Sequence, residues 1–316
     1  MSGAAQVTRR SRRRAARRLL VVALLALAAR YASAAPVEVR DDTGARVALP
    51  APAQRIVSLA PHTTELLFAA GAGDRIVGAD EFSDYPDAAK SLPRVGSSAL
   101  VDLERIAALK PDLVVVWRNG TAAARVESIR ALGVPVYLNE PHTLADVAST
   151  LVRLGTLAGT EAHAREAARA YQARVDALAA RFGALPQVTV FWQVWARPLL
   201  TINGRHMISD ALRVCAGVNV FAALDPLVPA VSVEAVVAAD PDAIVTTTND
   251  ATAAGRDDDG LGAWRALPTL RATRGGNLIA LSADTIHRPS PRAVDGVEAL
   301  CTALDGVRAR ASASPR

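Results

Sequence analysis

Histidine is the residue type in this sequence best suited to contact a metal centre, because a neutral imidazole nitrogen is a common metal ligand. His62 follows the first predicted strand and His287 lies in a late loop, so both are candidates to face a ligand. An ordinary hydrogen-bonding role is the alternative for each. No two histidines have the close spacing of a dedicated zinc or manganese site, so no resident metal is predicted. The five histidines are His62, His142, His163, His206 and His287.

The motifs that mark common catalytic sites are missing from the sequence. It contains no Gly-x-Ser-x-Gly elbow, no P-loop and no His-Glu-x-x-His pair. Gly71-Ala72-Gly73 follows a predicted helix and does not open one, so it is not a dinucleotide-binding loop. The sequence therefore predicts a protein that is not an enzyme.

The first 34 residues have the features of a cleaved secretory signal. A basic stretch at residues 9–18 leads into an apolar run at residues 19–29, and the small residues Ala32-Ser33-Ala34 follow. An apolar run of about eleven residues is too short to cross a bilayer of about 30 Å as a helix, although a membrane anchor is the alternative. We predict an exported protein; the sequence leaves the choice between the general secretory and twin-arginine routes open.

The basic net charge is concentrated in this leader. Removing its eight arginines changes the formal net charge from +5 to −3. The remaining chain is mildly acidic, which argues against nucleic-acid binding. With 316 residues, of which 51% are hydrophobic and 21% charged, the chain has enough material for two globular domains.

The two cysteines, Cys215 and Cys301, both lie in the C-terminal half. A pair of this kind usually forms a disulfide in an oxidising compartment. The predicted export favours the disulfide, and two buried free thiols are the alternative.

Behind the leader, strand and helix signals alternate, which predicts parallel sheets with helical crossovers. Residues 55–59 are typical of a buried strand, and residues 63–70 of a helix that Gly71 ends. Residues 161–182 contain no glycine or proline and predict one helix of about 33 Å, which is either another crossover or a strut between two lobes. Residues 249–262 are rich in Gly, Asp and Ala and predict a mobile surface loop.

Two segments on either side of this long helix match without a gap at an offset of 130, residues 102–115 and 232–245. Each has a helix-capping residue, a glutamate two positions later (Glu104 or Glu234), and a Pro-Asp pair before a strand. The alternative is that helix–Pro-Asp–strand units resemble one another because they share local structural preferences. The position of the two segments on either side of the long helix favours a duplicated lobe. Two lobes would hold a ligand in the cleft between them. One exposed glutamate per lobe suits docking to a basic partner, although both could be ordinary helix-start residues.

The sequence also resembles the periplasmic binding proteins for iron–siderophore, haem and vitamin B12, over roughly residues 54–305. The similarity rests on RIVSLAPHTTELLFAAG at residues 55–71, RIVG at 75–78, FSDYP at 82–86 and LERIAALKPDL at 103–113. Ser83-Asp84-Tyr85-Pro86 and Trp117-Arg118 are most similar to the vitamin B12 (cobalamin) branch.

This resemblance implies an α/β fold with two Rossmann-like lobes, each built on a parallel central sheet, joined by one long helix: the class III periplasmic binding protein architecture. It implies a periplasmic, monomeric receptor that delivers its ligand to the permease of an ABC importer. Glu104 and Glu234 match the permease-docking glutamates of the cobalamin branch, and Cys215 and Cys301 match its C-lobe disulfide. The expected divisions are a signal at 1–34, an extension at 35–54, lobes at 55–158 and 184–308, a linking helix at 159–183 and a tail at 309–316.

The expected ligand is cobalamin or another metal chelate, with no resident cofactor. Aromatic side chains suit the flat corrin ring, which buries apolar area against them. A haem or iron–siderophore receptor is the alternative, with Tyr85 or a histidine on iron or Arg288 on an anionic siderophore. A nitrogenase-like enzyme subunit is a remote alternative, because it would need clustered cysteines. The expected ligand-binding residues are His62, Phe82, Tyr85, Trp117, Trp195, Asp284, Thr285, Ile286, His287 and Arg288.

Overall fold

A computed structural model of the chain describes residues 35–97, 100–248 and 260–313. The predicted leader and most of the predicted loop at 249–262 lie outside the described residues. Within the described ranges, no helix is long and apolar enough to cross a membrane. The strands are β1 (Val37–Arg40), β2 (Arg46–Leu49), β3 (Ile56–Ser58), β4 (Ile76–Ala79), β5 (Leu113–Trp117), β6 (Val136–Asn139), β7 (Val188–Gln193), β8 (Trp195–Ala196), β9 (Leu199–Leu200), β10 (Gly217–Asn219), β11 (Ala243–Thr248) and β12 (Leu278–Ser282). The helices are α1 (Pro61–Ala69), α2 (Leu103–Ala108), α3 (Ala123–Arg130), α4 (Leu144–Ala158), α5 (Glu161–Phe182), α6 (Met207–Val214), α7 (Val233–Ala239), α8 (Gly262–Arg265), α9 (Arg271–Arg274), α10 (Ala283–Ile286) and α11 (Ala293–Ala313).

Two four-stranded parallel sheets form the centres of the two lobes. Their orders are β4-β3-β5-β6 in the N-terminal lobe and β10-β7-β11-β12 in the C-terminal lobe. In both sheets the first strand along the chain lies between the second and the third. The predicted fold class is confirmed, and the two lobes share one topology.

The repeated segments occupy equivalent places in this topology, since each supplies the helix before the third strand and that strand itself. The side chain of Asp102 caps α2 and the side chain of Ser232 caps α7, each accepting a hydrogen bond from a backbone N–H three residues on. Lys110 and Asp240, which follow the helices at matching positions, both have a positive φ (47° and 37°). The matching sequences therefore form matching helix ends.

The aspartate of each Pro-Asp pair fastens the third strand to the first. The Asp112 carboxylate accepts the backbone N–H of Arg55 at 2.9 Å, and the Asp242 carboxylate accepts that of Thr189 at 2.9 Å. Arg55 precedes β3 and Thr189 lies at the start of β7, so the two bonds are equivalent. This bond gives a structural reason for the repeated Pro-Asp pair.

One apolar core runs through both lobes and is continuous across α5. The predicted long helix has the expected bounds; a left-handed Gly159 (φ 69°) separates it from α4. Its buried face contacts both lobes through Ala164, Ala168, Tyr171, Val175, Leu178 and Phe182. The lobes therefore share a packed joint.

The C-terminal lobe contains the predicted disulfide. Cys215, just after α6, is bonded to Cys301 in α11, with a Cα–Cα distance of 4.7 Å, and both residues are fully buried. α11 begins at Ala293 and continues through Ala313, so the first residues of the predicted tail are helical.

Candidate functional site

A cavity of about 260 Å³ lies between the lobes. It is formed where the parallel strands end, the position at which open α/β sheets commonly bind ligands. Trp117 is the last residue of β5, Glu140 follows β6 and Val194 follows β7. The described residues that line it are Trp117, Asn119, Glu140, Pro141 and His142 from the N-terminal lobe, and Val194, His206, Met207, Ile208, Leu227, Val228, Ile286, His287 and Pro289 from the C-terminal lobe.

Trp117 forms the aromatic part of the N-terminal wall. Its side chain is 38% exposed, and the ring of His62 meets it edge-on at 5.6 Å between centroids. A Cβ atom at Gly120 would overlap the indole ring, so the following loop needs glycine to pack against it. The indole is held from behind while part of its surface stays available to a ligand.

His62 supports this wall from below and does not line the cavity. It is buried, and its Nε2 lies 3.0 Å from the Asn139 side-chain oxygen, to which an Nε2–H group donates. Burial lowers the pKa of His62 to about 4, although the bond to Asn139 acts in the opposite direction. The imidazole is therefore neutral at pH 7.

We expect His62 to make the fold sensitive to acid between pH 6.5 and 4. The unfolded chain takes up a proton on this side chain below pH 6.5, and the folded chain does so only near pH 4. The free energy of unfolding therefore falls as the pH is lowered, by about 3 kcal/mol for this residue. Urea unfolding at pH 7 and pH 4 should show a His62→Gln variant losing less stability than the wild type by that amount. His163→Gln, which changes an exposed histidine, should retain the wild-type loss; equal losses in all three proteins would contradict the assignment.

Two histidines form part of the C-terminal wall. His206 caps α6, since its Nδ1 accepts the Ile208 backbone N–H at 3.1 Å, and burial lowers its pKa to about 4. The Nε2 of His287 lies 3.3 Å from the Thr247 hydroxyl oxygen, and its ring is 6.3 Å from that of Trp192. Thr247 is the repeat counterpart of Trp117, so the ends of both third strands position groups at the cavity.

Glu140 organises a polar rim on the N-terminal side. Its carboxylate accepts hydrogen bonds from Arg118 Nη1 at 2.6 Å and from the side-chain amide of Asn119. His142 Nε2 lies 3.8 Å from the same carboxylate. The rim is polar and the walls behind it are mainly apolar.

Four charged side chains and one serine hydroxyl from the two lobes meet in an interlobe clasp formed by Glu65, Asp84, Arg288, Ser290 and Arg292. Glu65 accepts two hydrogen bonds from Arg292, at 3.0 and 2.7 Å, and one from the Ser290 hydroxyl at 2.6 Å. Arg288 Nη1 lies 3.1 Å from Glu65 and 2.6 Å from Asp84. The Arg288 hydrogen bond lowers the pKa of Asp84. The Glu65 side chain is only 2% exposed, so its charge depends on these partners from the other lobe.

Three of the predicted ligand-binding residues, Trp117, Ile286 and His287, line the cavity. Phe82 and Trp195 are 62% exposed and lie outside its lining, and Trp195 donates to the Arg197 carbonyl oxygen at 2.9 Å. These two residues keep their predicted role only as a hypothesis.

The remaining predicted residues lie at or near the clasp. The guanidinium of Arg292 sits over the Tyr85 ring at 4.0 Å, and Asp284 accepts from Arg288 at 3.0 Å. Thr285 donates to the Ser282 carbonyl oxygen at 3.3 Å. None of these residues lines the cavity in this conformation.

Sequence reasoning missed several residues of the cavity and of the clasp. Val228 and the His206–Ile208 segment line the cavity, but nothing in their local pattern distinguishes them from a loop and a helix start. Glu65 did carry a signal: it is the one acidic residue of α1, within the segment predicted as an apolar helix. A buried acid in such a helix needs a partner, and Arg292 is that partner.

Glu104 and Glu234 lie outside the cavity, exposed in the first turns of α2 and α7. Hydrogen bonds to its own backbone N–H and to the Ser232 side chain lower the pKa of Glu234. Val233 and Val237 flank it and are 43% and 41% exposed. The positions fit docking surfaces, and the docking role remains a prediction.

Comparison with known proteins gives one consistent assignment. The model of the periplasmic binding protein family matches residues 56–285. The vitamin B12-binding proteins of Vibrio parahaemolyticus and Vibrio cholerae are 34% and 35% identical over 258 and 263 residues, which is 81% and 83% of this chain and 91% and 93% of those proteins.

Solved structures agree with this assignment. The periplasmic vitamin B12 binding protein BtuF of Vibrio cholerae has a TM-score of 0.73 at 34% identity, covering 81% of this chain and 98% of that one. The periplasmic heme-binding protein RhuT from Roseiflexus has a TM-score of 0.69 at 26% identity, covering 80% and 99%. The chain belongs to the periplasmic binding protein family. This membership confirms the predicted resemblance and the prediction that the chain is not an enzyme.

Proposed function

We propose that the mature chain is a periplasmic receptor that captures cobalamin or a related corrinoid between its lobes and delivers it to the permease of an ABC importer. The observation that carries the proposal is a mainly apolar cleft with an aromatic wall, in a chain 34–35% identical to proteins named for vitamin B12 binding. A flat macrocycle buries apolar area against such walls. In this proposal residues 1–34 are the signal peptide that directs export and is then removed.

Ligand entry requires the lobes to separate. The cavity of about 260 Å³ is below the range of about 300–1,000 Å³ that is common for ligand pockets. The interlobe clasp spans the same two lobes, so its ion pairs rearrange when the cleft widens.

The haem and siderophore alternatives receive less support. An anionic siderophore needs basic groups in the cleft, and no arginine or lysine is among the described residues that line it. Arg288 is engaged with three carboxylates, and Tyr85 lies under Arg292. The cavity histidines are the remaining feature that favours haem.

Calorimetric titration of the purified mature protein with cyanocobalamin tests the proposal. We expect one ligand per chain and a rise in thermal stability, because a ligand present at 100 times its Kd stabilises the folded state by about 2.7 kcal/mol. Haem, added separately, should leave its Soret band unshifted. No heat and an unchanged melting temperature with cyanocobalamin, or a shifted Soret band with haem, would count against the corrinoid.

Two tryptophan variants serve as a matched pair for this titration. Trp117→Ala should weaken binding by about 2 kcal/mol, roughly 30-fold, because it removes the aromatic wall. Trp195→Ala removes an exposed indole outside the cavity lining: an unchanged affinity would take Trp195 out of the predicted ligand-binding residues, and a loss comparable to that of Trp117→Ala would keep it among them.

A further inference from the structure

Three of the five histidines border the cavity: His142 from one lobe, His206 and His287 from the other. Among the described residues, however, no three His, Cys, Asp or Glu side chains converge to hold a free metal ion. A metal chelate differs from a free ion because it brings its own equatorial ligands. A single side chain is then enough to fill an open axial position.

The hydrogen bonds distinguish among the three imidazoles. His206 uses Nδ1 to accept the Ile208 N–H, so its neutral ring carries hydrogen on Nε2 and has no second lone pair to offer. His142 lies on the rim with its Nε2 directed at the Glu140 carboxylate, 3.8 Å away, and its side chain is 47% exposed. Neither His142 nor His206 therefore combines a ring fixed in place with an uncommitted nitrogen lone pair facing the cavity.

His287 meets the requirements of an axial ligand. Its ring lines the cavity, and its one hydrogen-bond contact among the described residues is to Thr247, at 3.3 Å. When Nε2–H donates to the Thr247 hydroxyl, the lone pair is on Nδ1, which has no hydrogen-bond partner among the described residues. Metal-binding histidines generally have the second ring nitrogen held by another group, and Thr247 provides such a group.

We propose that the imidazole of His287 coordinates the metal of the bound chelate, replacing a weakly held axial water on the cobalt of a corrinoid. This inference rests on the proposed function and names the form of ligand that the site prefers. The nitrogen lone pair forms the new bond and one water molecule leaves. Neither a proton nor an electron is transferred in this exchange. A corrinoid whose two axial positions are both blocked cannot make the bond.

The test compares diaquacobinamide with dicyanocobinamide, two probes with the same corrin ring. With the wild-type protein we expect a shift in the visible spectrum of bound diaquacobinamide and none for dicyanocobinamide. The affinity should favour the diaqua form at least about tenfold. His287→Ala should abolish the shift and the preference while it still binds dicyanocobinamide. His163→Ala, on the exposed surface of α5, should behave like the wild type.

The outcomes separate this inference from the proposed function. A shift that persists in His287→Ala, or one that His142→Ala abolishes instead, would overturn the assignment of His287. Binding of both probes without a shift in the wild type would overturn coordination and leave the receptor role standing. If neither probe binds while cyanocobalamin does, the coordination is overturned and the receptor role stands; if cyanocobalamin also fails to bind, the proposed function fails with it.

Discussion

A Glu65→Gln variant should unfold with a free energy about 3 kcal/mol below that of the wild type. The substitution keeps the size of the side chain and removes the charge on which the two arginines of the interlobe clasp converge. Removing one partner of a buried ion pair costs about 3–5 kcal/mol, because the other charge stays buried without compensation. Glu65 is 2% exposed and Arg292 23% exposed, so solvent replaces little of the lost attraction. Urea unfolding at pH 7 measures the difference.

Asp84→Asn provides the matched control within the same clasp. It removes one carboxylate from Arg288, but Asp84 is 57% exposed, and exposed ion pairs contribute about 0–1 kcal/mol. Equal losses for the two variants, or a Glu65→Gln protein as stable as the wild type, would show that the buried carboxylate does not hold the lobes.

Reversing the charge of both glutamates predicted to dock to the permease, Glu104→Lys with Glu234→Lys, should abolish transport while ligand affinity stays unchanged. The two side chains lie on the surface of separate lobes and outside the cavity. The two introduced lysines would repel a basic partner and raise the free energy of docking by several kcal/mol. This corresponds to docking at least about 100-fold weaker. The measurement is uptake of labelled cobalamin by cells that carry the variant as their only receptor, together with titration of the purified variant.

Glu127→Lys with Glu298→Lys makes the same change in net charge at one exposed glutamate in each lobe, away from α2 and α7. This control should transport normally. Equal loss of transport in both double variants would assign the effect to overall charge, and loss of ligand affinity in the Glu104/Glu234 variant would place those residues in the binding site.

Much of the fold could be predicted because its signals are local. Residues 161–182 lack helix-breaking residues over the whole span, and the predicted helix has the observed bounds. α1 begins at Pro61, two residues before the predicted start at residue 63, because a proline is tolerated in the first turn of a helix. The β1–β2 hairpin was missed: its short strands pack Val47 and Leu49 against distant helices, and local pattern does not show such contacts.

The site was harder to predict because it depends on pairs of residues far apart in the chain. Trp117 and His287 could be proposed from strand-end and loop positions. Glu65 and Arg292 meet across 227 positions, and only the relation between the lobes brings them together. Arg288 was expected to meet a ligand, but in this conformation it pairs with acids from both lobes. Sequence pattern identifies charged residues; it does not show which of them are already neutralised.

The apolar core that continues from lobe to lobe through α5 has a mechanical consequence. A rotation of the lobes large enough to separate this core would expose buried apolar surface. The cost in free energy would be about 25 cal/mol for each Å² exposed. Parting the clasp instead exposes its charged groups to water, and their hydration offsets much of the lost attraction. The lobes are therefore held more firmly by the apolar core at α5 than by the clasp at the cleft. We therefore expect the cleft to widen at the clasp while the lobes stay joined at α5, with the two predicted docking glutamates, Glu104 and Glu234, each keeping its place on its own lobe.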